Sequence, residues 1–310
     1  MIYTLTLNPA VDRELQVADI QFNSVLRATA WRVDAGGKGF NVSRMLQVLG
    51  ERSVAVAFLA GHAGTYLSES LQSMGIDVEA VWVPGETRTN VSIVQAGDGR
   101  YIKVNEPGPT ISPEAQAAML EKIRSLAQAG DWWVLSGSLP PGVPADFYAT
   151  ILTMLKEAGA YSVLDTSGAP LRLAYQAAPF LIKPNREEAA ELFGVPVETR
   201  DDLLEVARRF LASHVRYAAI SLGEDGALLA TPEGTWWGQA PEIEARNPIG
   251  AGDAMIAGMV WALGQQWPPE DVLRAGMACG AATASQAGTG MGTLDQVQAL
   301  MSHVKVARIA

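Results

Sequence analysis

The chain is poor in the residues that build disulfides and metal centres. Its 310 residues include one cysteine, Cys279, and three widely separated histidines, His62, His214 and His303. One cysteine cannot form an internal disulfide, and isolated histidines lack the spacing of a zinc site. Cys279 lies in the small-residue segment AGMACGAATAS, where a free cysteine is normally a buried structural residue. The composition therefore predicts a protein of a reducing compartment without a zinc centre.

Positive charge and long apolar segments are also scarce. The chain has 23 Lys and Arg against 33 Asp and Glu, a formal net charge of −10, and it has no lysine-rich segment for binding nucleic acid. No apolar run approaches the roughly 20 residues that a membrane span needs. The N-terminal MIYTLTLNPAVD begins like a strand and lacks the charged n-region of a signal peptide. These features predict a cytoplasmic protein that binds neither nucleic acid nor membranes.

The sequence is rich in short apolar runs that alternate with amphipathic segments. The predicted strands are residues 2–7, 53–60, 132–137, 161–165, 180–184 and 217–223, and the predicted helices are 41–49, 65–74, 112–129, 145–158, 186–193 and 199–212. Ser112 before Pro113, and Thr199 three residues before Asp202, are helix start signals. Strands that are apolar throughout and are followed by helices indicate a mostly parallel sheet covered on both faces. We predict one Rossmann-like α/β domain over residues 1–310.

Two segments, residues 13–33 and 87–104, interrupt this pattern. Polar and apolar side chains alternate in both, and the second segment contains a Gly-Asp-Gly turn at 97–99. A period of two is typical of half-exposed antiparallel strands. We predict that the segments form one small β-sheet that projects from the main body as a lid; an edge hairpin of the main sheet is the alternative. A further hairpin is predicted at 223–239.

Two glycine-containing motifs have the composition of anion sites. In DAGGKGFNVSRMLQVLG (34–50), three glycines surround Lys38, so the backbone can approach a ligand and the ammonium group adds positive charge. The spacing is not that of a nucleotide P-loop, and a glycine turn with a solvated lysine is the structural alternative. In RNPIGAGD (246–253), helix N-terminal amides precede Asp253. Amides bind phosphoryl oxygens and the carboxylate can accept a proton from an attacking hydroxyl, although Asp253 also suits a helix N-terminus alone.

Two more motifs follow predicted strands. SGSLPPG (136–142) lies at the end of an apolar strand, where open parallel sheets bind ligands. In IKPNREEAAELFG (182–194), Asn185 can cap a helix and Glu188 can complete a capping box. Lys183 and Asn185 are equally suited to a phosphate group or to the water shell of its metal ion. For these residues the structural and functional interpretations both stay open.

Together the motifs resemble the phosphofructokinase-B (PfkB) branch of the ribokinase family. GGKGFNVSRMLQVLG is similar to the N-terminal signature of that branch, and NPIGAGDAMIAG is similar to its C-terminal signature. TLNPAVD, TRTN, SGSLPPG, KPNREE and SLGEDGAL occur in the family's order, so the resemblance covers nearly the whole chain. It implies a ribokinase-like α/β fold with a β-sheet lid, transfer of the γ-phosphate of ATP to a sugar hydroxyl with Mg²⁺, and a homodimer formed through the lid.

The resemblance also implies roles for individual residues. The expected catalytic groups are the general base Asp253 and an anion hole made by the amides of Gly250, Ala251 and Gly252. The residues expected to contact the sugar phosphate are Asp12, Arg27, Gly37, Lys38, Asn41, Arg88, Lys103 and Ser138. Those expected on the ATP side are Lys183, Asn185, Ser221, Gly223, Gly226 and Gly252. Glu188 is expected to organise Mg²⁺ through water.

The cations bear on the substrate. Lys38, Arg88, Lys103 and Arg27 supply positive charge for a second phosphate, which a kinase acting on a free sugar does not need. TLNPAVD, GGKG and GPTIS are most similar to the 1-phosphofructokinases and tagatose-6-phosphate kinases of the branch. The implied reaction converts fructose 1-phosphate to fructose 1,6-bisphosphate, and tagatose 6-phosphate or fructose 6-phosphate is the alternative substrate. Pro248 departs from the family pattern, because many relatives carry Thr or Ser there.

Two other function classes fit the sequence less well. A dinucleotide-dependent oxidoreductase needs a Gly-x-Gly-x-x-Gly turn after its first strand, but TLTLNPAVD has no glycine and the glycines of GTGMG (288–292) have a different spacing. A non-catalytic sugar-phosphate sensor on the same fold would not need Asp253 next to a glycine cradle. The sequence therefore favours a kinase.

Overall fold

The computed structural model describes residues 1–97, 100–288 and 290–310. The strands are β1 (Ile2–Thr6), β2 (Ala10–Val17), β3 (Ala28–Gly36), β4 (Ser53–Leu59), β5 (Asp77–Trp82), β6 (Arg88–Gln95), β7 (Tyr101–Asn105), β8 (Trp132–Ser136), β9 (Tyr161–Asp165), β10 (Leu181–Ile182), β11 (Tyr217–Ser221), β12 (Ala227–Thr231), β13 (Gly234–Gln239) and β14 (Lys305–Arg308). The helices are α1 (Lys38–Val48), α2 (Gly61–Ser73), α3 (Pro113–Leu126), α4 (Phe147–Glu157), α5 (Gly168–Ala174), α6 (Arg186–Phe193), α7 (Arg200–Ala212), α8 (Ala251–Gly264), α9 (Pro269–Ala284) and α10 (Leu294–Met301).

The main sheet has the order β14-β13-β12-β11-β10-β9-β8-β1-β4-β5. The seven strands from β11 to β5 are parallel, and β12, β13 and β14 continue the sheet in antiparallel pairs. The predicted mostly parallel sheet is thus confirmed. Strand β1 lies between β4 and β8, so the chain winds outward from it in both directions. The crevice outside the carboxyl ends of β1 and β8 is therefore the switch point where such sheets bind ligands.

Helices cover both faces of the main sheet because its strands are apolar on both sides. Val134 and Val163 face one layer, which contains α1, α8 and α9, whereas Leu135 and Leu164 face the other, which contains α3, α4 and α7. Helix α8 packs against both α1 and α9 and is apolar around nearly its whole circumference. Its first turn nevertheless carries an acidic residue, Asp253, and this buried charge marks the site described below.

Side-chain caps fix several helix ends as predicted. Ser112 accepts a hydrogen bond from the Ala115 amide, and Thr199 and Asp202 form a capping box. Helix α1 differs from the prediction, because it begins at Lys38 and not at residue 41. Lys38 therefore belongs to the first turn of a helix rather than to a glycine loop. Across the described residues, no helix is long and apolar enough to cross a membrane.

The segments predicted to form the lid make a separate four-stranded sheet of order β3-β2-β6-β7, which is called the lid below and which excludes the edge-hairpin alternative. Its strands cover residues 10–17, 28–36, 88–95 and 101–105, close to the predicted bounds. The outer pairs are antiparallel, but the central β2–β6 pair is parallel, which corrects the all-antiparallel prediction. The reason is topological: β2 follows β1 and β6 follows β5, and β1 and β5 run in the same direction in the main sheet. Residues 98–99 of the predicted Gly-Asp-Gly turn lie outside the described residues.

Candidate functional site

The site centres on Asp253 in the first turn of α8. This side chain is only 6% exposed, and its Oδ2 accepts a hydrogen bond of 2.9 Å from Asn41 Nδ2 on α1. Burial, assisted by the nearby carboxylate of Asp165, raises the pKa of Asp253 to about 7 against the opposing effects of Lys38, Asn41 and Lys183. A carboxyl group with a pKa near neutrality is suited to take a proton from an alcohol in the transition state.

Asp165 holds two lysines together at the end of β9. Its carboxylate is almost fully buried, accepts a hydrogen bond of 3.1 Å from Lys38 Nζ and lies 3.3 Å from Lys183 Nζ. Burial alone would raise the pKa of Asp165, but the two ammonium groups lower it below its usual range. Asp165 in turn raises the pKa of Lys38. The two ammonium groups and the single Asp165 carboxylate together leave one positive charge at this point of the site.

The amides at the start of α8 are only partly available to such an anion. Gly250 has a φ of +83°, a left-handed conformation that favours glycine. The Ala251 amide, one of the three predicted to form the anion hole, donates to the Pro248 carbonyl at 3.1 Å and so already has an acceptor. In the described part of the chain, no acceptor bonds to the amides of Gly250, Gly252 and Asp253. These three amides form the free donor set.

Lys183 lies directly beside this donor set. Its side chain is 5% exposed, and a Cβ added to Gly252 would lie 3.3 Å from its Nζ. Glycine at 252 therefore lets the ammonium group approach the helix N-terminus closely. An anion bound there would meet backbone amides and a full positive charge together.

Asp12, the predicted sugar-binding carboxylate, lies on lid strand β2. Asn90, opposite on β6, donates from Nδ2 to Asp12 Oδ1 at 2.8 Å. Burial raises the pKa of Asp12, while the Asn90 bond and the charges of Lys103 and Arg88 lower it. A Cβ at Gly36 would collide with Asp12 Oδ2, so glycine at 36 leaves room for that oxygen. Asn90 belongs to the TRTN motif, but no role was predicted for it. Its Oδ1 is buried without a hydrogen-bond partner in the described residues.

Arg88 and Ser138 meet at a cleft of about 510 Å³ between the lid and the body. The Arg88 guanidinium donates to the carbonyl oxygen of Asn8 at 2.9 and 3.2 Å and to that of Glu106 at 3.2 Å. Asn8 Nδ2 donates to Ser138 Oγ at 3.3 Å. The arginine is therefore held rigidly by backbone oxygens at the cleft wall, and its charge is not neutralised by an ion pair with any described carboxylate.

The remaining sugar-side residues divide into two groups. Lys103 lines a second small cleft that Asp12 and residues 247 and 249 also line, so it lies near the predicted sugar-binding carboxylate. Gly37 lies at the N-cap of α1, and its carbonyl accepts from the Asn41 amide at 2.9 Å. Arg27 is exposed before β3, and the structure shows no contact between it and the other predicted site residues. The structure therefore does not bring Arg27 into the site within one chain.

The predicted ATP-side residues lie where α6 begins and β11 ends. Asn185 Oδ1 accepts from the Glu188 amide at 2.7 Å, and Glu188 Oε2 accepts from the Asn185 amide at 2.9 Å. This is the capping box predicted from sequence. Asn185 also forms a β-bridge with Ser221. Glu188 lies close enough to Lys38 for its charge to raise the pKa of that lysine, so it faces the same chamber as Asp165.

Gly223 and Gly226 shape the turn that follows β11. Gly223 has a φ of +61° and Gly226 a φ of +108°. A Cβ at Gly226 would collide with the carbonyl oxygen of Gly238 on β13. Arg186 and Asp225 form an ion pair of 2.9 Å that ties this turn to α6. The two glycines thus have a clear backbone function, and the turn borders the residues around Asn185.

Comparisons with known proteins agree with the fold. The family model of pfkB family carbohydrate kinases matches residues 4–296. The chain is 37% identical over 309 residues to 1-phosphofructokinase of Bacillus subtilis, with all of both proteins covered, and 32% identical over 313 residues to tagatose-6-phosphate kinase of Staphylococcus epidermidis, again with full coverage of both.

A solved structure extends the agreement to three dimensions. The crystal structure of phosphofructokinase-2 from Escherichia coli in complex with potassium matches with a TM-score of 0.93 and 28% identity, covering 97% of this chain and 98% of that one. Family model, full-length relatives and superposition all point to one group of proteins. The chain therefore belongs to the pfkB family of carbohydrate kinases, enzymes that use ATP to phosphorylate a sugar.

Proposed function

We propose that this kinase transfers the γ-phosphoryl group of ATP to the free primary hydroxyl of fructose 1-phosphate and so forms fructose 1,6-bisphosphate. The observation that carries the proposal is the buried carboxyl of Asp253, with a pKa of about 7, beside free helix N-terminal amides and Lys183. The end-to-end similarity to 1-phosphofructokinase of Bacillus subtilis supports the choice of this sugar phosphate.

In this proposal Asp253 is the general base. Its carboxylate accepts the proton of the sugar hydroxyl as that oxygen attacks the γ-phosphorus in line, and no covalent enzyme intermediate forms. Asn41 holds one carboxylate oxygen, Oδ2, and the other is left for the substrate. The proton that Asp253 takes is then released to solvent or product when the lid opens.

Lys183 and the free amides of Gly250, Gly252 and Asp253 stabilise the phosphoryl group during transfer. Their donors are fixed before the substrate arrives, so little reorganisation is needed when negative charge develops. Lys38 lies on the other side of Asp165 and supplies a second positive charge. Asp165 keeps both ammonium groups in place and is itself a positioning residue.

Magnesium is the expected companion of ATP, and the chain is compatible with it. Glu188 uses Oε2 in its capping box, and Oε1 has no hydrogen-bond partner among the described residues. Those residues contain no cluster of three or more His, Cys, Asp or Glu that could hold a metal ion. This arrangement fits Mg²⁺, which keeps several waters and is bound mainly by substrate phosphates with one or two carboxylates. Glu188 would hold the ion through water, and the ion would neutralise charge on the ATP phosphates.

The sugar phosphate binds under the lid in this proposal. Asp12 and Asn90 receive the sugar hydroxyls, and Arg88 and Ser138 at the 510 Å³ cleft receive the phosphate that is not transferred. Closure of the lid excludes water, which would otherwise compete as the phosphoryl acceptor. Lys103 adds charge at the edge of the same region.

Tagatose 6-phosphate is the second candidate substrate, because a tagatose-6-phosphate kinase is 32% identical over the whole chain. A coupled ADP-release assay over fructose 1-phosphate, fructose 6-phosphate, tagatose 6-phosphate and fructose separates these options. We expect the highest kcat/KM with fructose 1-phosphate and almost none with fructose. An equal or higher kcat/KM with tagatose 6-phosphate would overturn the substrate assignment, and no sugar-dependent ADP release would overturn the kinase role.

We also propose that the enzyme is a homodimer joined through the lid. The lid and its β2–β3 connection expose apolar side chains that a monomer would leave in water: Trp31, Tyr101 and Val104 on the strands and Phe22 and Val25 in the connection are each more than half exposed. Exposed apolar groups concentrated in one part of a protein are typical of an interface. Sedimentation velocity should give a dimer for the wild type and a monomer for Trp31→Glu. A monomeric wild type at micromolar concentration would contradict the proposal.

A further inference from the structure

One polar face of helix α1 runs under the lid and ends at an arginine with no assigned role. Lys38, Asn41 and Arg44 follow each other at intervals of three residues, so they lie on the same side of the helix. Lys38 contacts Asp165 and Asn41 contacts Asp253. Arg44 reaches neither carboxylate. Its guanidinium Nη1 instead donates to Asn41 Oδ1 at 3.3 Å.

The chemistry of these three groups fixes the direction of the Asn41 amide. A guanidinium only donates hydrogen bonds, so it must face the amide oxygen. An ionised carboxylate only accepts, so it must face the amide nitrogen. Arg44 and Asp253 therefore impose the same orientation on Asn41 from opposite sides. A protonated Asp253 would permit the reverse orientation as well, because its O–H could donate to the amide oxygen if Asn41 turned over.

We propose that Arg44 is a positioning residue for the general base: by holding the Asn41 oxygen, it keeps the Asn41 N–H aimed at Asp253 and so keeps Asp253 an acceptor. The proposal rests on the role of Asp253 given under Proposed function. Arg44 does not touch the reacting atoms; it acts through Asn41. Without it, the amide could rotate by half a turn and bond to the protonated form of the base.

The consequence is a shift in the proton affinity of Asp253. A hydrogen bond to the charged form of an acid lowers its pKa, and one to the neutral form raises it. The Asn41 bond belongs to the first kind, because it lowers the pKa of Asp253. Loss of Arg44 frees the Asn41 amide to rotate, so that the amide no longer has to donate to the charged form of Asp253. The base of such a variant should be protonated over a wider range of pH.

Other charged residues lie near Asp253 and Arg44, and their influence on the pKa of Asp253 must be distinguished from that of Arg44. Asp165, Lys38 and Lys183 act on Asp253 from β9, α1 and the segment after β10. Arg44 itself is largely buried and faces lid residues Asp34, Arg32 and Asp12, and burial lowers the pKa of Arg44. Arg32 makes ion pairs with Asp34 at 2.5 Å and with Glu14 at 3.4 Å. No hydrogen bond joins Arg32 to Asn41 among the described residues, so Arg32 offers a matched control of equal charge.

The test is the pH dependence of kcat/KM for fructose 1-phosphate in the full-length enzyme, which reports the ionisations of free enzyme and free substrate. For Arg44→Met we expect the acid limb to move to higher pH by about one unit, the size of one hydrogen bond to a charged group. The value of kcat/KM should then be about tenfold lower below the limb and nearly unchanged on the alkaline plateau. Arg44→Lys, which keeps a donor-only head group, should shift the limb less.

Three comparisons make the result decisive. Arg32→Met should leave the limb where the wild type has it. In the Asn41→Ala background, Arg44→Met should cause no further shift, whereas a direct effect of charge on Asp253 would persist. The substrate phosphate also ionises in this range, but it does so equally in every variant and cancels from the differences.

The positioning role would be overturned if the acid limb of Arg44→Met did not shift, or if kcat/KM fell by the same factor at every pH. A shift that persists without Asn41 would also overturn it. If Arg44→Met does not fold, Arg44→Gln replaces it, because a neutral amide accepts as well as donates and no longer fixes Asn41. Failure of the underlying function looks different: Asp253→Asn would then keep its turnover, whatever Arg44 does.

Discussion

Replacing Asp253 by Asn should make the folded protein more stable above neutral pH. The pKa of Asp253 rises from an ordinary value of 3.8 to about 7 on folding. At 1.36 kcal/mol per pKa unit, this rise corresponds to about 4 kcal/mol by which the fold disfavours the ionised carboxyl. Asparagine has nearly the same shape, carries no charge and can still accept the Asn41 hydrogen bond. The gain in unfolding free energy should therefore approach 4 kcal/mol as a ceiling.

The pH dependence fixes the sign of this effect. Between pH 4 and 7 the folded state binds more protons than the unfolded chain, so the wild type loses stability as pH rises through this window. Below pH 4 the carboxyl is protonated in both the folded and the unfolded state, so it does not lower the free energy of unfolding of the wild type. The advantage of Asp253→Asn should therefore be small near pH 4, grow through pH 7 and remain constant above it.

Urea unfolding at pH 5, 6.5 and 8, followed by circular dichroism, measures the advantage directly. Asp165→Asn is the control of opposite sign, because the pKa of Asp165 is lowered on folding and its loss leaves Lys38 and Lys183 without their partner. That variant should be less stable than the wild type at pH 8. The reasoning is refuted if Asp253→Asn is destabilised at pH 8, or if its advantage is the same at pH 5 as at pH 8.

Three further substitutions test other parts of the site. Arg88→Ala should raise KM for the sugar phosphate at least tenfold more than KM for ATP, since charge-assisted phosphate contacts contribute about 1.5–3 kcal/mol; equal effects would remove its substrate role. Gly36→Ala should displace the Asp12 carboxylate and weaken sugar binding, whereas Gly264→Ala, which fills open space at the end of α8, should leave KM unchanged. Lys183→Met should lower kcat by about 10²-fold or more, the size of one lost oxyanion donor; a kcat within threefold of wild type would contradict it.

The main sheet was predictable because its central strands are apolar on both faces. Strands of this kind are typical of a parallel sheet with helices on both sides. Strands β5 and β14 were missed, since DVEAVW and KVAR lie at the sheet edges and carry polar side chains. The lid was predicted from alternation. Alternation of polar and apolar residues shows which side chains share a face, but it does not show strand direction. The parallel pairing of β2 with β6 follows from the order of strands in the whole fold, which the alternation does not reveal.

The site was predictable where its residues form local motifs. Asp253 with its glycines, and Asn185 with Glu188, each lie within a few residues of one another. The contacts that tune the base are distant in sequence: 212 residues separate Asn41 from Asp253, and 127 separate Lys38 from Asp165. Asp165 had one sequence signal, an acidic residue at the carboxyl end of an apolar strand. Nothing in a single sequence pairs it with two lysines.

The turnover of Asp253→Asn with fructose 1-phosphate tests the central claim most directly. If Asp253 is the general base, kcat should fall by roughly 10²–10⁴-fold, while KM for both substrates stays within a few-fold because the amide keeps the shape of the site. The coupled ADP-release assay on folded variant and wild type measures both constants. A kcat within about threefold of the wild type would show that the proton leaves the sugar hydroxyl by another route.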